Sequence, residues 1–173
     1  MKKAIFFDRD GVLNEAVMTD DSHRAPHFLE EFSIVKEAKA AVRLARQNGY
    51  LAVVVTNQPD VVRGDMKMAV LEKINKTLLD EIEADDFFMC LHDYSDNCNC
   101  KKPKPGMLLD AADKHNIDLK ASYIIGDTWK DMEAGKKCGC MTVLIEKAYN
   151  VDTEADRKAA DVESAVRTII ESN

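Results

Sequence analysis

The chain has 173 residues, 46% hydrophobic and 32% charged, which fits one domain with a real core and is too apolar for a disordered chain. Asp and Glu number 31 against 24 Lys and Arg, a net charge of −7; such a surface repels phosphate backbones and anionic lipid, so nucleic-acid and membrane binding are argued against. Any anionic ligand must be gripped by a local cluster of cations.

In chain order, residues 4–7 read as a buried strand ending at Asp8, and the polar segment 16–31 as a loop over a site. Residues 34–47 carry Val35, Ala38, Val42 and Ala45 at helical spacing and stop at Asn48-Gly49. A second strand over 51–55 ends at Thr56. Helical spacing returns over 68–82 (Val70, Leu71, Ile74, Leu78, Ile82), followed by a third strand over 87–91. A helix over 106–115, a strand over 123–125, a helix over 130–137, a strand over 141–145 and an amphipathic helix over 161–172 complete the series. No apolar run approaches the roughly 18 residues of a membrane span. The opening run before Asp8 is too short for a secretory h-region of about 7–15. The expectation is a cytoplasmic protein, one domain over 1–173, monomeric by default.

This β-α alternation calls for a doubly wound, mostly parallel α/β sheet, with ligands beyond the carboxyl ends of the strands. Three strands deliver Asp8, Thr56 and Asp127 to that edge. In Asp8-Arg9-Asp10-Gly11 two carboxylates meet where a strand ends, and Gly11 permits the turn. Crowded carboxylates call for a cation, and Mg²⁺ takes one or two of them plus phosphate. Asp127 adds a third acid; Asp131, one helical turn on, can back up Asp127 or a lysine. Thr56, Asn57 and Gln58 offer a hydroxyl, two amides and backbone N–H groups to phosphate oxygens. The run Lys101-Lys102-Pro103-Lys104 is the required cationic cluster, with Lys102 as the inward lysine and Lys104 as a solvated one.

Five cysteines are present. Cys90, His92, Cys98 and Cys100 are three thiolates and one imidazole on a polar loop, a donor set for a closed, structural Zn²⁺ site over about 90–102. Cys138 and Cys140, flanking Gly139 beside a core strand, read as buried thiols. His23, His27 and His115 read as surface residues, Arg63 as a surface arginine and Trp129 as packing at a helix start.

The blocks around Asp8-Arg9-Asp10-Gly11-Val12-Leu13-Asn14, Val55-Thr56-Asn57-Gln58, Lys101-Lys102-Pro103 and Gly126-Asp127 with Asp131 resemble, in order, the four motifs of the haloacid dehalogenase superfamily of phosphatases. Within it the chain is most similar to the branch of heptose-bisphosphate phosphatases and histidinol phosphatases, which carries a zinc loop at this position. The resemblance implies a Rossmann-like core without a cap domain, as the short gaps after Asn14 and Gln58 also indicate. It further implies a Mg²⁺-dependent phosphomonoesterase working through an aspartyl phosphate, with a small phosphorylated metabolite as partner. Asp8 would be the nucleophile, Asp10 the general acid/base, and Thr56 and Lys102 the phosphoryl stabilisers. Mg²⁺ would lie on Asp8, Asp127 and the Asp10 carbonyl. Asn57, Gln58, Lys101 and Thr128 would bind substrate, Lys101 standing where the family usually has arginine. A phospho-accepting receiver domain would need an Asp ending the third strand, where this chain has Cys90-Leu91-His92.

Overall fold

The protein is described by a computed structural model covering residues 1–20 and 22–172; Asp21, in the expected loop, lies outside the described residues. β1 (Lys3–Phe7) runs up the middle of the sheet. A two-stranded flap follows, β2 (Val17–Met18) antiparallel to β3 (His23–Arg24), and then α1 (Ala38–Gln47), β4 (Tyr50–Asn57) and the single turn α2 (Asp60–Arg63). The chain continues through α3 (Met68–Ile82), β5 (Asp86–Cys90), α4 (Gly106–His115) and β6 (Tyr123–Gly126). It ends with α5 (Trp129–Cys138), β7 (Met141–Ile145), β8 (Arg157–Ala159) and α6 (Val162–Glu171).

The six long-sheet strands lie in the order β5-β4-β1-β6-β7-β8, every pair parallel. Period-2 alternation sends each strand's side chains to two separate cores. Ile5, Phe7, Val54 and Ile125 pack with Ala41, Val42, Leu78, Val166 and Ile169 of α1, α3 and α6. Ala4, Phe6, Val53, Val55 and Ile124 pack with Met107, Leu108, Ala111 and Ala134 of α4 and α5. Burying each such large side chain contributes about 1.5–3 kcal/mol. Helices therefore cover both faces, as the alternation required.

Three boundaries differ from the sequence reading. α1 begins at Ala38, because Ile34 and Val35 are held extended: Ile34 bridges Asn14, and the Val35 N–H donates to the Leu13 carbonyl. β4 runs on through Thr56 and Asn57, paired with Met89 and Cys90. β8 was not foreseen, since Arg157-Lys158-Ala159 has no apolar signature; as an edge strand it needs little. Among the described residues no helix is long and apolar enough to cross a membrane.

Candidate active site

The carboxyl ends of β1, β4 and β6 converge on one cavity of about 220 Å³, lined among others by Asp8, Asp10, Asn57, Lys101, Lys102, Asp127 and Thr128. A larger hollow, about 890 Å³, lies at the amino ends of β1 and β4 beside Lys3, Tyr50 and Leu51. The carboxyl-edge cavity is the site, because only there do strand ends deliver convergent polar groups.

Lys102, 2% exposed, organises it. Its Nζ donates to Asp8 Oδ1 at 2.8 Å, Asp131 Oδ1 at 2.5 Å and the Val55 carbonyl at 2.9 Å. Its backbone is pinned by Asn57, whose amide donates to the Lys102 carbonyl and accepts from the Lys102 N–H, both at 3.0 Å. Burial alone would favour neutral Lys102; Asp131 and Asp8 outweigh it and raise its pKa. Asp131 is fully buried and also accepts from the Thr128 hydroxyl at 2.6 Å. It therefore backs up the lysine rather than Asp127.

Asp8, Asp127 and Asp131 bring one carboxylate oxygen each within 4.8 Å of the others. Burial, then the charge of Asp131, pushes Asp8 well above the ordinary carboxylate range despite Lys102. The same two causes push Asp127 up to about 7, against the hydrogen bond from Tyr149. Asp127 Oδ1 is buried without a partner, while Oδ2 accepts from the Tyr149 hydroxyl. An orphaned oxygen among crowded acids is what a hard divalent cation satisfies, so the residues present fit Mg²⁺. Gly11 makes the approach possible. Its φ is +82°, and a Cβ there would lie 2.0 Å from Asp127 Oδ2.

Asp10 also lines the cavity, held from behind. Its carboxylate accepts from Arg9, Asn14 and Gln58. Gln58 also donates to the Thr56 hydroxyl at 2.9 Å, and both residues are 1% exposed. Lys101 Nζ donates to the His92 carbonyl at 2.9 Å and lies over the Tyr94 ring. Asn57, Lys101 and Thr128 line the cavity, Asn57 with its amide engaged by Lys102. Gln58, in contrast, is buried and its amide is turned to Asp10 and Thr56.

Arg63 stands at the surface, as read, while several other readings need correction. Arg63 makes a two-point ion pair with Asp93 at the cavity rim. His27 pairs with Asp60 and His115 with Asp86. His23, from the flap, stacks on Tyr149 at 3.7 Å. Lys104 donates to the carbonyl of Cys98 and the side chain of Asn97, tying the loop instead of pointing into water. Trp129 is 51% exposed, so packing is not its role. Arg9 and Tyr149 escaped the sequence reading: an arginine between two acids reads as solvated, and nothing local marks a tyrosine four residues past a strand.

The cysteine loop closes on itself. Cys90 Sγ lies 3.7 Å from Cys98 Sγ, 3.1 Å from Cys100 Sγ and 3.6 Å from His92 Nδ1. Tetrahedral zinc with Zn–S of about 2.3 Å sets its sulfurs roughly 3.8 Å apart, so this donor set fits it. Burial pushes Cys90 up to about 12. Against burial, the N–H groups of Lys101 and Cys100 and the neighbouring thiols bring Cys98 down to about 7.

Fold and site together define an α/β enzyme of phosphoryl transfer, with carboxylates, a buried lysine and a cation-rimmed cavity at one sheet edge. The HAD-hydrolase-like family model matches residues 99–170. The D-glycero-beta-D-manno-heptose-1,7-bisphosphate 7-phosphatase of Pasteurella multocida is 36% identical over 172 residues, covering 93% of this chain and 90% of the relative. The protein of the same name from Escherichia coli K12 is 33% identical, with 90% and 85% covered. Among solved structures, D,D-heptose 1.7-bisphosphate phosphatase from B. bronchiseptica, complexed with magnesium and phosphate, superposes with a TM-score of 0.84 at 27% identity over 99% of both chains. The chain belongs to the haloacid dehalogenase-like phosphatases and is a phosphoric monoester hydrolase.

Proposed function

We infer that the protein removes one phosphate from a sugar bisphosphate, as a D-glycero-D-manno-heptose 1,7-bisphosphate 7-phosphatase, through an aspartyl phosphate on Asp8. The observation that carries the chemistry is Lys102 lodged between Asp8 and Asp131. It fixes the Asp8 carboxylate by Oδ1 and leaves Oδ2, without a protein donor among the described residues, to attack phosphorus in line. Asp10 protonates the departing alkoxide, then takes a proton from the water that hydrolyses the phosphoenzyme. Lys102, with the Thr56 hydroxyl, offsets charge on the transferring group. Mg²⁺, with Asp8, Asp127 and the Asp10 carbonyl as the residues that would hold it, supplies charge neutralisation at a phosphate oxygen.

The substrate reading rests on the relatives' names and on the rim. Arg24, Arg63, Lys101 and Lys130 surround the mouth of the cavity. The first two are paired with Glu31 and Asp93. Lys130 has no acid partner among the described residues and lies 5.9 Å from the Tyr94 ring. An uncommitted cation at the mouth suits a second phosphate held outside the reaction centre. Zinc on Cys90, His92, Cys98 and Cys100 would have a structural role only, stiffening the segment that carries Lys101 and Lys102.

The test is phosphate release, with Mg²⁺ present, from heptose 1,7-bisphosphate, histidinol phosphate and simple sugar monophosphates. The bisphosphate is expected to have the highest kcat/KM; a preference for histidinol phosphate would reassign the substrate. Asp8→Asn is expected to abolish turnover on all of them. Residual turnover by that variant, with deamidation excluded by mass spectrometry, would contradict the covalent mechanism.

A further inference from the structure

We propose that Arg9 is a positioning residue for the general acid, locking one oxygen of Asp10 so that the other becomes the proton carrier. The inference rests on the reading of Asp10 as the acid. Arg9 is completely buried, a costly place for a guanidinium unless every donor is used against charge. Its Nε and Nη2 donate to Asp10 Oδ1 at 3.2 and 2.9 Å, and Nη2 also reaches Oδ2 at 3.0 Å. Its Nη1 donates to Asn75 Oδ1 of α3 at 2.7 Å. Asn75 in turn leans on Met89 of β5. The catalytic loop is thereby bolted to a helix and a strand that are distant in sequence.

The two oxygens of Asp10 are not equivalent. Oδ1 accepts a third donor, Asn14 Nδ2 at 3.0 Å, and has no room for a proton of its own. Among the described residues Oδ2 accepts, besides Arg9, only Gln58 Nε2 at 2.6 Å. Gln58 is the adaptable partner, because its Oε1 is buried without any donor. When Oδ2 carries a proton, the Gln58 amide can turn over so that Oε1 accepts it, and the Thr56 hydroxyl can rotate to donate to the same oxygen. Arg9 supplies the fixed half of this arrangement and Gln58 the movable half.

The step balances on these atoms. Asp8 Oδ2 forms its bond to phosphorus as the bond from phosphorus to the sugar oxygen breaks, the electron pair staying on that oxygen. The proton on Asp10 Oδ2 passes to it. In the second half a water oxygen bonds phosphorus, the Asp8–phosphorus ester breaks, and a water proton returns to Asp10 Oδ2.

In the first half a misplaced Asp10 matters only when the leaving group needs its proton. A sugar alkoxide does, whereas p-nitrophenolate leaves well without one. In the second half a misplaced Asp10 slows phosphoenzyme hydrolysis for every substrate alike, so the readout is the single-turnover rate of leaving-group release. Arg9→Lys keeps the charge but loses the fork. It is expected to lower the single-turnover rate of sugar release from heptose 1,7-bisphosphate by about tenfold or more. With p-nitrophenyl phosphate the single-turnover burst of p-nitrophenolate should slow by less than about threefold, while the later hydrolysis of the phosphoenzyme slows equally for both substrates. Asn75→Ala, which leaves Arg9 in place and loosens it, should show the same selectivity on a smaller scale and decides the matter if Arg9→Lys fails to fold. Asp10→Asn is the reference. If it discriminates between the two substrates in this release step and the Arg9 and Asn75 variants slow both releases equally, the positioning role is overturned. If Asp10→Asn itself does not discriminate, the acid assignment falls and takes this inference with it.

Discussion

Every proton of the Lys102 ammonium is spoken for, by two carboxylates and a carbonyl, so this one side chain serves both stability and chemistry. Lys102→Met keeps the length and removes the charge, leaving Asp8 and Asp131 buried and mutually repelling. Breaking a buried pair from one side costs about 3–5 kcal/mol. Denaturant unfolding at pH 8 should show a loss of that order together with loss of turnover; unchanged stability would mean that the carboxylates find other partners. At the rim the balance differs. Lys130 is half-buried and has no acid partner among the described residues, so Lys130→Ala should leave folding and p-nitrophenyl phosphate turnover intact. It should raise KM for heptose 1,7-bisphosphate by about tenfold, the worth of one charge-assisted hydrogen bond. An equal rise with a monophosphate would remove Lys130 from second-phosphate recognition.

At the level of elements, the loop between β5 and α4 ties the cluster of Cys90, His92, Cys98 and Cys100 to the lysines beside it. Lys101 donates to the His92 carbonyl, Lys104 to the Cys98 carbonyl, and Asn57 to the Lys102 carbonyl. Cys98→Ser should therefore do two things: drop bound zinc below about half of the single equivalent expected, and raise KM through Lys101 while the sheet stays folded by far-UV circular dichroism. Full zinc content in that variant would exclude Cys98 as a ligand. This loop was legible in the sequence because cysteine and histidine spacing is local information. So were α3, α4 and β7, whose periodicity or β-branched content was uninterrupted to their ends. What escaped has the opposite character. β8 is a charged edge strand held by the neighbouring β7. The extended Ile34-Val35 segment owes its shape to Leu13 and Asn14. The Arg9–Asn75 bond joins residues 66 positions apart. Pattern reading finds what a segment decides for itself, and these are decided elsewhere in the fold.

Across the whole molecule, a cation held by the crowded acids as proposed would make metal binding and stability one equilibrium. Asp127, 1% exposed, is pushed up to about 7 in the folded protein by burial and Asp131, against about 3.9 for an unfolded Asp. Between those values the folded state keeps a proton that the unfolded chain has lost. Raising the pH through that window therefore destabilises the metal-free fold, by at most about 1.4 kcal/mol per unit. Asp8, shifted in the same direction, adds to the trend. Mg²⁺ requires these carboxylates deprotonated and relieves the repulsion that raised them, so its stabilising effect must grow as the proton leaves. We expect saturating Mg²⁺ to raise Tm clearly more at pH 8 than at pH 5.5, measured by scanning calorimetry. Asp127→Asn should raise the metal-free Tm at pH 8 and flatten the pH dependence of the metal effect. Equal Tm increments at the two pH values in the unsubstituted protein would show that the cation binds somewhere other than this cluster of acids.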